Sequence, residues 1–122
     1  MATYTIEIIG RGHMADRDAV EIRLRCLRDG NYFQFFQVIA TGIALAIVRR
    51  EHGDVPETWW RAAVATACTD IESMVTSEFR PLDPPTKGFM VPVDVARTDA
   101  LHKAGGLPAG GPGDEVCSFT GP

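Results

Sequence analysis

The sequence predicts an α+β fold: an N-terminal β-hairpin, two long antiparallel helices packed on it, and a Pro/Gly-rich C-terminal segment with one short helix. Three observations predict it. Residues 3–11 and 20–27 alternate apolar and polar side chains, the two-residue period of half-buried strands. Residues 31–48 then run without a charge. Beyond Arg80 the composition changes, with seven of the eight prolines and seven of the twelve glycines lying between Pro81 and Pro122.

In the first strand Tyr4, Ile6 and Ile8 share one face, and Thr5, Glu7 and Ile9 the other. A polar connection from Gly10 to Asp18 leads to the second, where Val20, Ile22, Leu24 and Cys26 point inward. Glu7 falls opposite Arg23 or Arg25 on the outer face, a cross-strand pair of modest value. Asp29-Gly30 ends that strand.

Residues 31–48 read as a helix buried all round, because apolar side chains would lie on every side of it. Asn31 as N-cap with Gln34 three residues on makes a capping-box pattern. Arg49, Arg50 and His52 suit the negative end of the helix dipole, and Gly53 suits a left-handed position after it. Ala40, Gly42, Ala44 and Ala46 would let a second helix approach closely. As a membrane span the unbroken part from Tyr32 to Val48 is short, reaching about 25 Å at roughly 1.5 Å per residue, against a hydrocarbon core of roughly 30 Å. A single-span membrane protein is therefore the third reading.

The second helix is expected from Asp54, as N-cap, to Phe79, with Pro56 in its first turn. Trp60, Val64, Ala67, Ile71 and Met74 recur at spacings of four, three, four and three. Cys68, Val75 and Phe79 widen that face. Pro81, Pro84 and Pro85 forbid its continuation. Phe89 to Val93 suits a short edge strand, and Asp94 can cap a small helix through Lys103. One domain over 1–104 is expected, with a ββαα core at 3–79 and a wrapping segment at 80–104. Residues 105–122 read as a flexible tail, with Val116, Cys117 and Phe119 as its docking points. A lone hairpin is a small sheet for so apolar a helix. Either the Phe89–Val93 segment adds a strand or a second copy completes the core, and a homodimer is expected.

Composition narrows function more by exclusion than by assignment. A net charge of −4 disfavours direct nucleic-acid binding, which needs a cationic face. Arg11, Arg17, Arg23, Arg25 and Arg28 cluster in the hairpin, but Glu7, Asp16, Asp18, Glu21 and Asp29 are interleaved and no aromatic is. Cys26, Cys68 and Cys117 are far apart and form no CxxC pair, so neither a disulfide framework nor a zinc site is expected. His13, His52 and His102 show no ligand spacing, so no metal and no cofactor is expected. Gly10-Arg11-Gly12 lacks the third glycine of a dinucleotide fingerprint, and a strand follows it. The N-terminus lacks the basic and apolar regions of a signal peptide, and the expectation is a reduced, cytoplasmic protein.

What remains is binding. Adjacent helix positions diverge by about 100°, so with Trp60 in the core Trp59 is expected at the boundary, either as an interface anchor or lying along the hairpin or over the tail. Asp70 lies eleven positions away, about three turns, on roughly the same side. Glu57, Glu72 and Glu78 add carboxylates, with Glu72 about 200° from Asp70 around the helix. These five residues form the expected partner-binding surface, and a basic nucleic-acid-binding protein is the expected kind of partner. In size and character the chain resembles small accessory proteins of bacteriophages and mobile elements, which include anti-CRISPR inhibitors. That resemblance implies a protein that blocks a host factor by occupying its surface, and it carries over no residue. The alternative is a small enzyme or ligand-binding domain with a pocket between hairpin and helices, using Cys or His.

Overall fold

The computed structural model describes residues 1–14, 19–53, 55–105 and 115–122. Its frame is one five-stranded sheet in the order β4-β3-β2-β1-β5. The strands are β1 (Ala2–His13), β2 (Ala19–Arg28), β3 (Asn31–Thr41), β4 (Gly88–Pro92) and β5 (Glu115–Gly121). Between β3 and β4 the chain forms α1 (Gly42–His52) and α2 (Glu57–Val75), and after β4 comes α3 (Val95–Lys103). Neighbouring strands are antiparallel except β3 and β4, which are parallel.

The expected hairpin with two long helices is therefore incorrect, and residues 31–48 are where it fails. Residues Asn31–Thr41 form β3, and only Gly42–His52 is helical. Asn31 caps nothing: it pairs with Arg28 across a tight turn in which Asp29 has φ 50° and Gly30 φ 83°. Positive φ at both central residues is what a two-residue hairpin turn of the right twist demands, and Asp-Gly supplies it. The Asp29 carboxylate also accepts from the Thr3 N–H at 2.9 Å, tying the turn to β1. The two-residue period is blurred here because Phe35 and Ile39, on the face opposite Phe36 and Val38, are apolar as well. Ala40 and Gly42 thus belong to different elements, and no small-residue helix face exists there. Gly53, at φ 82°, ends α1 with its N–H bonded to the Arg49 carbonyl at 2.8 Å.

The second helix stops at Val75, short of Phe79, and Asp54 lies outside the described residues. Phe79 instead joins a run of rings, 6.0 Å from Phe33, 5.9 Å from Phe36 and 5.3 Å from Phe89. The segment from Gly105 onward is not simply a tail: Glu115–Gly121 is the edge strand β5. There Phe119 is buried and stacks on Tyr4 at 5.3 Å. β4 and β5 thus add a strand at each edge of the predicted hairpin and its neighbour β3. Among the described residues, no helix is long and apolar enough to cross a membrane.

Tyr4, Ile6, Ile22, Leu24, Phe36, Val38 and Val91 line the covered face of the sheet. Leu45 and Val48 of α1, and Trp59, Trp60, Ala63, Ala67 and Ile71 of α2, pack on it. Gln34 and Thr98 are polar side chains buried with them. Gln34 has no exposed surface, and its amide N–H groups donate to the carbonyls of Phe35 (2.7 Å), Pro85 (3.2 Å) and Lys87 (2.7 Å). Its Oε1 accepts from the Leu82 N–H at 2.7 Å. The segment returning from α2 to β4 is thereby fastened to the middle of β3.

Gln34→Leu keeps the volume and removes those four hydrogen bonds. Groups left without partners cost about 1–3 kcal/mol each when buried, so a stability loss of about 2–4 kcal/mol is expected in urea unfolding.

Candidate functional site

The sequence-derived surface does not assemble as expected, and Trp59 is the main correction. Its side chain is 0% exposed, and Trp60 is also buried. The rings meet edge to face at 5.2 Å. Both can be internal because α2 is covered on two sides. The sheet takes one, and α3 returns over another, where buried Thr98 donates to Thr66 at 3.4 Å. Trp59 is a core residue, not an interface anchor. Its Nε1 has no hydrogen-bond partner among the described residues.

The carboxylates separate into three places. Glu57 opens α2 and pairs with Arg11 of β1 at 3.1 Å, while that guanidinium also lies 5.5 Å from the centre of the Trp60 ring. Glu72 is exposed on α2, and Glu78 is exposed in the turn after it. Asp70 belongs to a shaped site. It lines an open cleft of about 350 Å³ with Met74 from α2, Met90 and Val93 from β4 and its exit, and Asp94 and Arg97 from the start of α3.

Arg97 organises this cleft. One Nη2 reaches both oxygens of Asp70 at 2.8 Å, and Nε donates to Asp94 Oδ2 at 2.8 Å. Asp94 is also the N-cap of α3, accepting from the Arg97 N–H at 3.0 Å. That backbone hydrogen bond, then the guanidinium, hold the Asp94 carboxyl below the usual aspartate range. The two carboxylates in turn raise Arg97, Asp94 foremost. Sequence reasoning found Asp70 and the Asp94 cap but not their meeting through Arg97, since the link spans 27 residues. The cleft offers a ligand apolar walls and a rim whose charges are already fixed in place. Leu24, Phe36, Leu45 and Trp59 are buried in the core between the sheet and the helices.

The uncovered face of the sheet is the other polar surface. Arg25 donates through Nε to Glu7 at 2.9 Å, Arg23 lies 3.5 Å from Glu21, and Gln37 donates to Glu21 at 2.8 Å. Arg28 reaches the Pro122 carbonyl at 3.4 Å, and Arg17 lies outside the described residues. Phe35 pairs directly across from Arg25, an interleaving hidden while residues 31–48 read as a helix. Among the described residues, no group of three or more His, Cys, Asp or Glu is placed to hold a metal ion. No protein-family model, no curated protein and no solved structure matches this chain.

Trp59→Ala is expected to destabilise the whole domain by about 3–5 kcal/mol, as loss of a buried ring does, measured by chemical denaturation. Asp94 titrates lower folded than unfolded. Its contribution is therefore present above the unfolded value and lost as pH falls through the folded one. Asp94→Asn should flatten the acid limb of a melting-temperature profile below the ordinary aspartate range and leave the slope near neutrality unchanged.

Proposed function

We propose that this chain is a non-catalytic binding module that occupies the surface of a protein partner through the cleft between α2, β4 and α3. The observation that carries this reading is the make-up of the cleft, in which methionine and valine walls meet two carboxylates locked by one arginine. Methionine adapts to irregular apolar surfaces, so Met74 and Met90 suit an inserted apolar side chain. Carboxylates keep acceptor capacity beyond the bonds made to Arg97, and Asp70 and Asp94 can receive a lysine or arginine flanking that side chain. A basic protein is the matching partner for a chain of net charge −4.

A nucleic-acid-binding protein has such a surface, and blocking it requires no contact between this chain and nucleic acid. The arginines of the open sheet face support that division, because Glu7 and Glu21 already neutralise Arg25 and Arg23. The general likeness to phage and mobile-element accessory proteins, anti-CRISPR inhibitors among them, supports an inhibitory role. Three free cysteines suit a reducing, cytoplasmic setting.

Met90 is 48% exposed, so it can be changed without disturbing the core. Against a partner recovered by affinity capture, Met90→Asp is expected to weaken binding about tenfold or more, as loss of a central contact does. Its thermal unfolding should match the wild type, and Glu78→Lys, away from the cleft, should change affinity less than about threefold. Wild-type affinity of Met90→Asp would place the contact elsewhere and remove this reading.

A further inference from the structure

The three cysteines, scattered in sequence, converge in the fold. Cys26 on β2 and Cys117 on β5 both pair with Ile6 of β1, one from each side, so both point to the covered face. Cys68 projects from the buried side of α2. The Cys117 thiol, then burial, push the Cys68 thiol above its usual range, and Cys26 is a further neighbour.

The match between α2 and β5 extends along both elements. A Cβ on Gly121 would come within 3.2 Å of the Thr76 methyl, so the end of α2 stands over the end of β5. From Thr76 back to Cys68 is eight helical residues, about 12 Å. From Gly121 back to Cys117 is four strand residues, about 13 Å. The two rises agree, and α2 and β5 are in contact, which brings Cys68 to the level of Cys117. Cys26 is differently placed. It is separated from Cys117 by the whole of β1, two interstrand spacings or about 10 Å, beyond the roughly 7 Å that a disulfide spans between Cα atoms.

We propose that Cys68 and Cys117 are a redox pair, closing an intramolecular disulfide that clamps the C-terminal edge strand to α2 when the protein meets a peroxide. Cys117 is the more exposed of the two and reacts first. Its sulfur displaces water from hydrogen peroxide and becomes a sulfenic acid, the peroxide being reduced. The Cys68 sulfur then attacks that sulfur, the S–S bond forms and a second water leaves, carrying the thiol proton. One peroxide thus oxidises two thiols and yields two waters. The neighbouring Cys117 thiol, then burial, keep Cys68 protonated at neutral pH, so the second step accelerates as pH rises. Cys26, pushed up to about 12 chiefly by burial, stays a thiol throughout.

The test is peptide mapping of the folded chain after treatment with hydrogen peroxide and alkylation of the remaining thiols. The expected result is a single cross-linked peptide joining Cys68 to Cys117, with Cys26 alkylated once the protein is unfolded. The melting temperature should rise by about 5–15 °C, and dithiothreitol should reverse the rise. Cys117→Ser, at a partly exposed position, should abolish both effects, whereas Cys26→Ala should leave the cross-link in place. Three alkylatable thiols after peroxide, a bridge that includes Cys26, or bridges only between chains would each overturn the proposal.

Discussion

The fold depends on the parallel pairing of β3 with β4. Antiparallel neighbours can be joined by a two-residue turn, but a parallel neighbour needs a long crossover. The segment between Thr41 and Gly88 is that crossover, and both longer helices lie within it. Its return is fixed by the buried amide of Gln34, which reads the carbonyls of Pro85 and Lys87 and the N–H of Leu82 in the segment entering β4, besides the Phe35 carbonyl of its own strand. A buried amide with every group bonded specifies one arrangement, because any slip leaves polar groups dry and unpaired. The rings of Phe33, Phe36, Phe79 and Phe89 fill the space beside it and make the same return apolar. Without that anchorage β4 has only five residues with which to hold the sheet edge.

Parts of this were legible in the sequence. The alternation in β1 and β2, the apolar repeat from Trp60 to Met74 and the Asp94 cap each correspond to an element in place. Gln34 shows why the rest was not. Three residues after an asparagine it fits a capping box, and the same glutamine fits a strand whose amide reaches a loop 48 residues away. The residues that could decide are Asp29-Gly30, a hairpin dipeptide, and the aromatic and β-branched content of 31–41, which favours a strand. A two-face apolar pattern hides that period, because an inner strand and a buried helix look alike over a short run. β5 was masked by its neighbours: Glu115–Gly121 follows a glycine-rich stretch, and its pairing with Ala2–His13 spans nearly the whole chain.

The same limit governs the tryptophans. Two adjacent helix positions diverge by about 100°, so a helix packed on one side only can bury one ring. Burying both requires a second cover, and α3 provides it across Thr66 and Thr98. The periodicity of α2 carries no trace of that second contact, since Ala62, Ala63 and Thr66 are small enough to read as either face. The outer-face glycines have an equally non-local cause. A Cβ on Gly10 would strike the Arg23 guanidinium, and one on Gly88 the Gln37 amide, so each glycine leaves room for a polar side chain lying flat across the next strand.

What α2 touches explains why its carboxylates cannot act as one surface. β4 and β5 are opposite edges of the sheet, about 19 Å apart if it were flat, yet α2 meets both. Met74 and Asp70 face Met90 and Val93 at the β4 edge, while Thr76 lies against Gly121 at the β5 edge. The sheet must curl around the helix for both contacts to exist. Residues about 200° apart on α2 then look toward different edges. Asp70 is drawn into the cleft with Arg97, while Glu72 stands on the side of Cys68 and Thr76. A flat partner reading Asp70 cannot also read Glu72, so a contact at the cleft must draw its remaining area from β4 and α3.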